Sequence, residues 1–360
     1  MVRGDCCVKP RVVVIDDSPF VRRLIVDWLT EGGEFEVVGS ANNGRDGLVL
    51  VKEQRPDLVT LDIEMPIMDG LTCLRHIMAE CPTRVIMVSS LTESGATPTL
   101  EALEIGAFDY FAKPNGSSSI KFIGCQEELI AKLQAAVGSA TMRRLTPAAA
   151  PAKALVQAPA PKISMPKTDR VVLLASSTGG PKALAAFWRD LPKGFSAPIL
   201  MVQHMPESFM ASFAARLNSI GTVPCQLAKA GDRPVPGVAL MAPGGKHMMI
   251  DSHGAIVLDD GPNLHGVKPA ADHLFLTAAA KWGNRCLGAI FTGMGRDGTE
   301  GAKVIRGKGG YMIGESEETC VVYGMPRAAK EAGGIDRELP LTAMAPALVT
   351  AIVKGKNIAA

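Results

Sequence analysis

Short apolar runs alternate with helical periodicities along most of this chain. From Arg11 to about Val137 the runs Val12–Ile15, Glu36–Gly39, Leu58–Leu61, Val85–Val88 and Asp109–Ala112 have strand length and are largely β-branched or aromatic. Between the first two, Val21, Leu24, Ile25, Trp28 and Leu29 recur at helical spacing behind a Ser18-Pro19 start signal. Five such strand-and-helix repeats predict a doubly wound parallel sheet, because parallel neighbours need a crossover and a helix supplies it. A second α/β pattern runs from Arg170 to the C-terminus. Its strand candidates are Val171–Ala175, Ile199–Val202, Val238–Ala242, Met248–Asp251, Ala255–Leu258 and Leu287–Thr292. Its helical stretches are Lys182–Leu191, Ser208–Ile220, Ala271–Trp282 and Met344–Val353.

The segment between the two patterns has no sustained period. Residues 141–168 hold five prolines, seven alanines and five basic residues but no acidic one, so they read as a semi-extended linker. The expected domains are therefore 9–140, a linker at 141–168, and 169–360. At 360 residues, with 47% hydrophobic and 21% charged positions, each half can bury a core unaided. A net charge of +2 gives no electrostatic argument for nucleic acid or a membrane surface. The eight cysteines show no CxxC spacing and read as buried, reduced thiols. No secretory leader opens the chain, and no run reaches the ~20 apolar residues of a membrane span. The expectation is a soluble cytoplasmic protein without membrane insertion.

In an open parallel sheet, functional groups gather at the carboxyl ends of strands. Asp16 and Asp17 follow the first strand, Asp62 the third, Ser89 the fourth, and Lys113 with Pro114 the fifth. Clustered carboxylates repel unless a hard cation lies among them, and Mg2+ prefers such oxygen ligands. A carboxylate held beside that ion and a lysine is suited to attack a phosphoryl donor, since both charges neutralise the transferring oxygens. Any one of these aspartates alone reads more readily as a helix cap; it is their arrival together at one rim that points to a site.

In the second half, the strand at 171–175 runs into Ser176-Ser177-Thr178-Gly179-Gly180-Pro181-Lys182 and then a helix. A hydroxyl there sits at a helix N-terminus, where developing negative charge is stabilised. The loop by itself fits a phosphate cradle as well as a nucleophile turn. A serine nucleophile needs a histidine oriented by a carboxylate. His204 closes the strand Pro198–Gln203, and Asp297 lies in the glycine-rich loop after Leu287–Thr292, so three strands deliver triad residue types to one rim. His247, after Pro243-Gly244-Gly245, is the rival base, whereas His76 reads as a helix residue and His253, His265 and His273 lack a strand-end context.

The first half resembles the response-regulator receiver family, notably at Leu61-Asp62-Ile63-Glu64-Met65-Pro66 and Asp69-Gly70. The resemblance implies a flavodoxin-like receiver with Asp62 as phosphoacceptor and Asp16, Asp17, Asp62 and the Glu64 backbone carbonyl as Mg2+ ligands. It also implies Ser89 and Tyr110 as switch residues and Lys113 as the phosphoryl contact. The second half resembles the chemotaxis protein-glutamate methylesterases at Ser177–Pro181, Val202–Pro206, Ala242–Gly245, Thr292–Gly298 and Tyr323–Arg327. That family implies Ser177 as nucleophile, His204 as base, Asp297 as orienting carboxylate and the Met294 amide as oxyanion donor, with no cofactor at the esterase site. It implies deamidation of selected glutamines, methyl-accepting chemoreceptors as substrates, a histidine kinase as phosphodonor, and a receiver that masks the active site until phosphorylated. Ser176 and Glu315 depart from the family's commoner Ala and Gln.

Two other classes fit less well. A receiver-controlled nucleotide-binding module would need GxxxxGK[ST] or Rossmann glycine spacing at 176–180, and neither is there. A transcription factor would need a DNA-reading helix and a basic patch after residue 170.

Overall fold

The computed structural model describes residues 9–90, 92–113, 125–138 and 165–354. The chain divides into two compact units after residue 148, inside the segment read as a linker, most of which lies outside the described residues.

The first unit runs β1 (Arg11–Ile15), α1 (Pro19–Glu31), β2 (Glu36–Ala41), α2 (Gly44–Gln54), β3 (Leu58–Asp62), α3 (Gly70–Glu80), β4 (Arg84–Ser90), α4 (Glu93–Ile105), β5 (Asp109–Lys113) and α5 (Cys125–Gly138). All strand pairs are parallel, in the order β2-β1-β3-β4-β5. Helices begin where short polar side chains take over orphan amides. The Ser18 hydroxyl accepts the Val21 N–H at 3.4 Å, and Asp69 accepts that of Thr72 at 2.8 Å. The middle strand β3 is buried along its whole length, which explains its near-continuous apolar character.

The second unit runs β6 (Val171–Ser176), α6 (Gly180–Asp190), β7 (Ile199–Gln203), α7 (Glu207–Ile220), β8 (Cys225–Leu227), β9 (Ala239–Met241), β10 (His247–Ile250), β11 (Ile256–Asp259), α8 (Ala271–Trp282), β12 (Cys286–Ile290), α9 (Thr299–Gly307), β13 (Tyr311–Glu315), α10 (Met325–Glu331), β14 (Arg337–Leu339) and α11 (Leu341–Lys354). Seven strands form a parallel sheet, β14-β13-β12-β6-β7-β9-β8. Strands β10 and β11 stand apart as an antiparallel hairpin, whose Met248, Ile250 and Ile256 join Ala271, Leu274, Phe275 and Ala278 of α8 in one buried cluster. The sequence pattern does not single out β8, β13, β14, α9 or α10.

In both sheets the winding reverses at one point, between β1 and β3 in the first and between β6 and β12 in the second. Connections diverge there and leave a crevice at the carboxyl ends of the strands. Asp16, Asp17 and Asp62 flank the first crevice, and the 177–181 and 292–298 loops flank the second.

Candidate functional site

At the first crevice, Asp16, Asp17 and Asp62 each offer a carboxylate oxygen, and these lie within 4.8 Å of one another. Lys113 Nζ stands 2.7 Å from Asp62 Oδ2 and 2.9 Å from Asp16 Oδ2. The Asp16 contact is an ion pair without hydrogen-bond alignment, so that buried oxygen has no hydrogen-bond partner. Asp62 Oδ1 accepts the Ile63 N–H at 2.8 Å. Burial, reinforced by the charge of Asp16, pushes the Asp62 carboxyl up to about 6 despite Lys113. Burial also raises Asp16, whereas Asp62 and Asp16 together hold Lys113 above its usual value against its own desolvation. Three carboxylates against a single lysine leave a surplus of negative charge that suits a hard cation, and the residues fit Mg2+. Glu64 is exposed on the turn just after Asp62.

The two residues expected to act as switches stand less directly at the crevice. Ser89 is buried, and its hydroxyl accepts that of Thr99 at 2.7 Å. Tyr110 is buried too, beneath Lys132, whose Nζ lies 4.9 Å from the ring centre and bonds the Tyr110 carbonyl at 2.6 Å. Neither side chain is hydrogen-bonded to Asp62 among the described residues.

At the second crevice, β6 and β7 run in register with Ser176 opposite Gln203, so Ser177 and His204 leave the sheet side by side. Gln203, which the sequence marks only as part of a motif, fastens the two turns together. Its Nε2 donates to the Ser177 carbonyl at 3.1 Å and the His204 carbonyl at 2.9 Å. Its Oε1 accepts the Ser176 hydroxyl at 2.6 Å, which keeps that serine fully buried while Ser177 is partly exposed. The Ser177 amide donates to the Thr292 carbonyl at 3.1 Å, tying this turn to the loop after β12. Gly293 permits the close approach, since a Cβ there would lie 2.7 Å from that of Ser177.

His204 Nε2 lies 2.7 Å from Asp297 Oδ2. Asp297, 2% exposed, also accepts the amides of Ala271 (2.6 Å), Asp272 (3.0 Å) and Gly298 (2.9 Å). Its four lone-pair directions are thus filled, two of them by the N-terminus of α8. Burial alone would raise this carboxyl, but His204 and the amides outweigh it and hold it below its usual value. The carboxylate engages Nε2, so Nδ1 is the ring nitrogen left for Ser177, the reverse of the arrangement in which Nδ1 faces the carboxylate. Ser177 makes no hydrogen bond to His204 among the described residues, and such bonds often tighten only with substrate.

The rival base is otherwise engaged. His247 is fully buried, its Nε2 is 3.0 Å from the Pro262 carbonyl, and its Nδ1 accepts the Ala270 N–H at 3.1 Å. His265, given no role by its sequence context, lies beside the site, with Nε2 3.0 Å from the buried Asp272. No sequence signal links the two, because a positive φ at His265 and the start of α8 bring them together. In the loop after β12, the Gly293 amide is taken by the Val322 carbonyl at 3.0 Å. The Met294 amide donates to no described acceptor and remains available.

Family models match twice along the chain, the CheB methylesterase model over residues 172–348 and the response regulator receiver domain model over residues 12–122. A protein-glutamate methylesterase/protein-glutamine glutaminase of Symbiobacterium thermophilum is 44% identical over 96% of this chain and 98% of the relative. The chain belongs to the CheB methylesterase family. Its relative of the same name in Bacillus subtilis is 42% identical over 97% of this chain and 99% of that one. The CheB methylesterase catalytic domain of Thermotoga maritima, a crystal structure, is 39% identical with a TM-score of 0.49, covering 50% of this chain and 97% of that one. Two α/β units with parallel sheets are the fold of the family expected from the sequence.

Proposed function

We propose that this family member hydrolyses glutamate methyl esters, and deamidates glutamines, on the cytoplasmic helices of methyl-accepting chemoreceptors under control of its receiver. The domains are those of the sequence reading: receiver 9–140, linker 141–168 and catalytic unit 169–360. The observation that carries the hydrolytic reading is the His204–Asp297 pair, saturated by helix amides, beside a serine at the β6/β12 reversal.

In this reading Ser177 Oγ attacks the side-chain ester carbonyl while His204 Nδ1 takes its proton. The Met294 amide faces the developing oxyanion. His204 returns the proton to the leaving methoxide, giving methanol and an acyl-serine. A water then attacks, its proton passing to His204 and on to Ser177, and glutamate leaves. With a glutamine substrate the same steps release ammonia. Asp297 stays ionised and fixes the imidazole, and because its four acceptor positions are filled it has little freedom to turn away.

Asp62 is the phosphoacceptor of the receiver, with a histidine kinase as donor. Asp16, Asp17 and Asp62 with the Glu64 carbonyl would hold Mg2+, which supplies charge neutralisation for phosphoryl transfer when bound. Lys113 contacts the phosphoryl oxygens, while Ser89 and Tyr110 respond to the modification. In this reading the protein acts in the cytoplasm, with no nucleic-acid partner. Among the described residues no helix is long and apolar enough to cross a membrane. The test is methanol release from methylated receptor, with and without a small phosphodonor and Mg2+. Release that depends on Ser177 and rises with phosphodonor supports the reading, and a folded protein that releases none overturns it.

A further inference from the structure

Strand β13 carries a carboxyl group that no part of the reaction above uses. Glu315 is fully buried beneath the loop that follows β12, next to the candidate nucleophile turn. Its Oε2 accepts the Thr292 N–H at 2.9 Å, and its Oε1 accepts the Thr319 hydroxyl at 3.0 Å. No cation pairs with it among the described residues.

Thr292 is the residue through which the two loops of the site are joined. Its carbonyl accepts the Ser177 amide at 3.1 Å. Its hydroxyl reaches the carbonyls of Thr178 (3.0 Å) and Val322 (3.2 Å) and accepts the Val322 N–H at 2.9 Å. Gly293 and Met294 follow it directly. Every polar group of Thr292 is therefore committed, and Glu315 holds the one that faces away from the nucleophile.

We propose that Glu315 is a positioning residue, whose buried carboxyl sets the Thr292 backbone and through it the Ser177 amide and the Met294 oxyanion donor. This rests on the reading of Ser177 as nucleophile. Removing the carboxyl leaves a buried N–H without a partner, and the peptide must move to find one. A shift of that peptide displaces the nucleophile and the oxyanion donor relative to each other, and acyl transfer is sensitive to displacements of about an ångström.

The chemistry required is modest: one acceptor for Thr292 N–H and one group that can bond Thr319. A carboxylate supplies both, and so does a carboxamide, whose oxygen accepts from Thr292 while its N–H donates to Thr319 Oγ1. An apolar side chain supplies neither, and an aspartate falls one methylene short.

The experiment compares the full-length protein with Glu315→Leu, Glu315→Asp and Glu315→Gln, assayed for methanol release per active site. Active sites are counted by burst labelling with a fluorophosphonate, and Ser177→Ala is the control. Glu315→Leu and Glu315→Asp are expected to lose about tenfold to a hundredfold in kcat with KM unchanged, and to label more slowly. Glu315→Gln should return kcat to within about threefold of the parent. If the leucine variant fails to fold, the aspartate variant decides. A residue with only a structural role would lower the number of active sites and leave kcat per site alone. Parent-level kcat per site in a folded Leu or Asp variant overturns the proposal, as does a Gln variant as impaired as the Leu. If the parent itself shows no Ser177-dependent release, the hydrolytic reading has failed instead.

Discussion

Asp62 and Asp297 are both buried carboxylates near the carboxyl end of a parallel strand, each beside a sheet reversal, yet their environments drive them in opposite directions. Asp62 meets one amide and one lysine, faces Asp16, and is pushed up to about 6. Asp297 meets three amides and a histidine and is held below its usual value. Burial is the leading cause at both and raises both, so the count of donors decides the outcome. A carboxylate short of donors beside two others is a place for a cation to enter and for chemistry on the carboxylate itself. A carboxylate with every acceptor position filled is a fixed anion, suited to holding a histidine.

The largest expected effect falls on the fixed site. Ser177→Ala should lower methanol release by about 10⁶-fold with folding intact, and His204→Gln nearly as much, because members of such a unit fail together. Ser176→Ala, which removes one buried hydrogen bond to Gln203, should be mild. A dead Ser176 variant beside an active Ser177 variant would show that the wrong serine was chosen.

The two aspartates separate next. Asp297→Asn should reduce kcat by about 10⁴-fold. It should also lower stability by about 1–3 kcal/mol, since an amide cannot accept from all the donors the carboxylate served. Asp62→Asn should keep the basal rate and lose only stimulation by phosphodonor. Near-normal kcat in the first, or a lost basal rate in the second, would break the comparison.

Metal removal gives a smaller effect. A chelator should abolish phosphodonor stimulation and leave basal methanol release unchanged, because the all-carboxylate Asp16–Asp17–Asp62 cluster suits a hard cation, whereas in the His265–Asp272–Asp297 group the Asp297 oxygens are already taken by His204 and three amides. Loss of basal release on chelation would place a metal requirement at the esterase site.

The smallest effect is in the pH dependence of unfolding, followed in chelator. The Asp62 carboxyl is raised on folding, so its stabilisation is present below its unfolded value and fades as pH rises through about 6. The Asp297 carboxyl is lowered, so its contribution is present above its unfolded value and is lost as pH falls through the folded one. Thermal melts against pH, with each Asn variant as reference, should show these slopes with opposite sign. Slopes of one sign would mean that burial alone governs both groups.

The apolar runs alone marked the strands of the first sheet and most of those of the second, and the strand ends singled out Asp16, Asp62, Ser177 and His204 as candidates, with Asp297 in the loop that follows one of them. Strand ends are legible because a buried strand is a nearly continuous apolar run that stops where the chain emerges. Tertiary structure decided the rest. Helix α9 contains Gly301 and Gly307, a poor helical composition read in isolation. Gly301 is needed because a Cβ there would come 2.3 Å from Phe275 of α8, a contact invisible along the chain. Strands β8 and β14 are three residues long and carry too few positions for a period. Which ring nitrogens stay open at His204 and at His247 is likewise decided by the fold. Gln203, Asp272 and Glu315 act through hydrogen bonds across 26, 25 and 23 residues of sequence. Periodicity records which face of an element is buried, whereas the partner of a buried polar group is set by the packing of elements far apart in the chain.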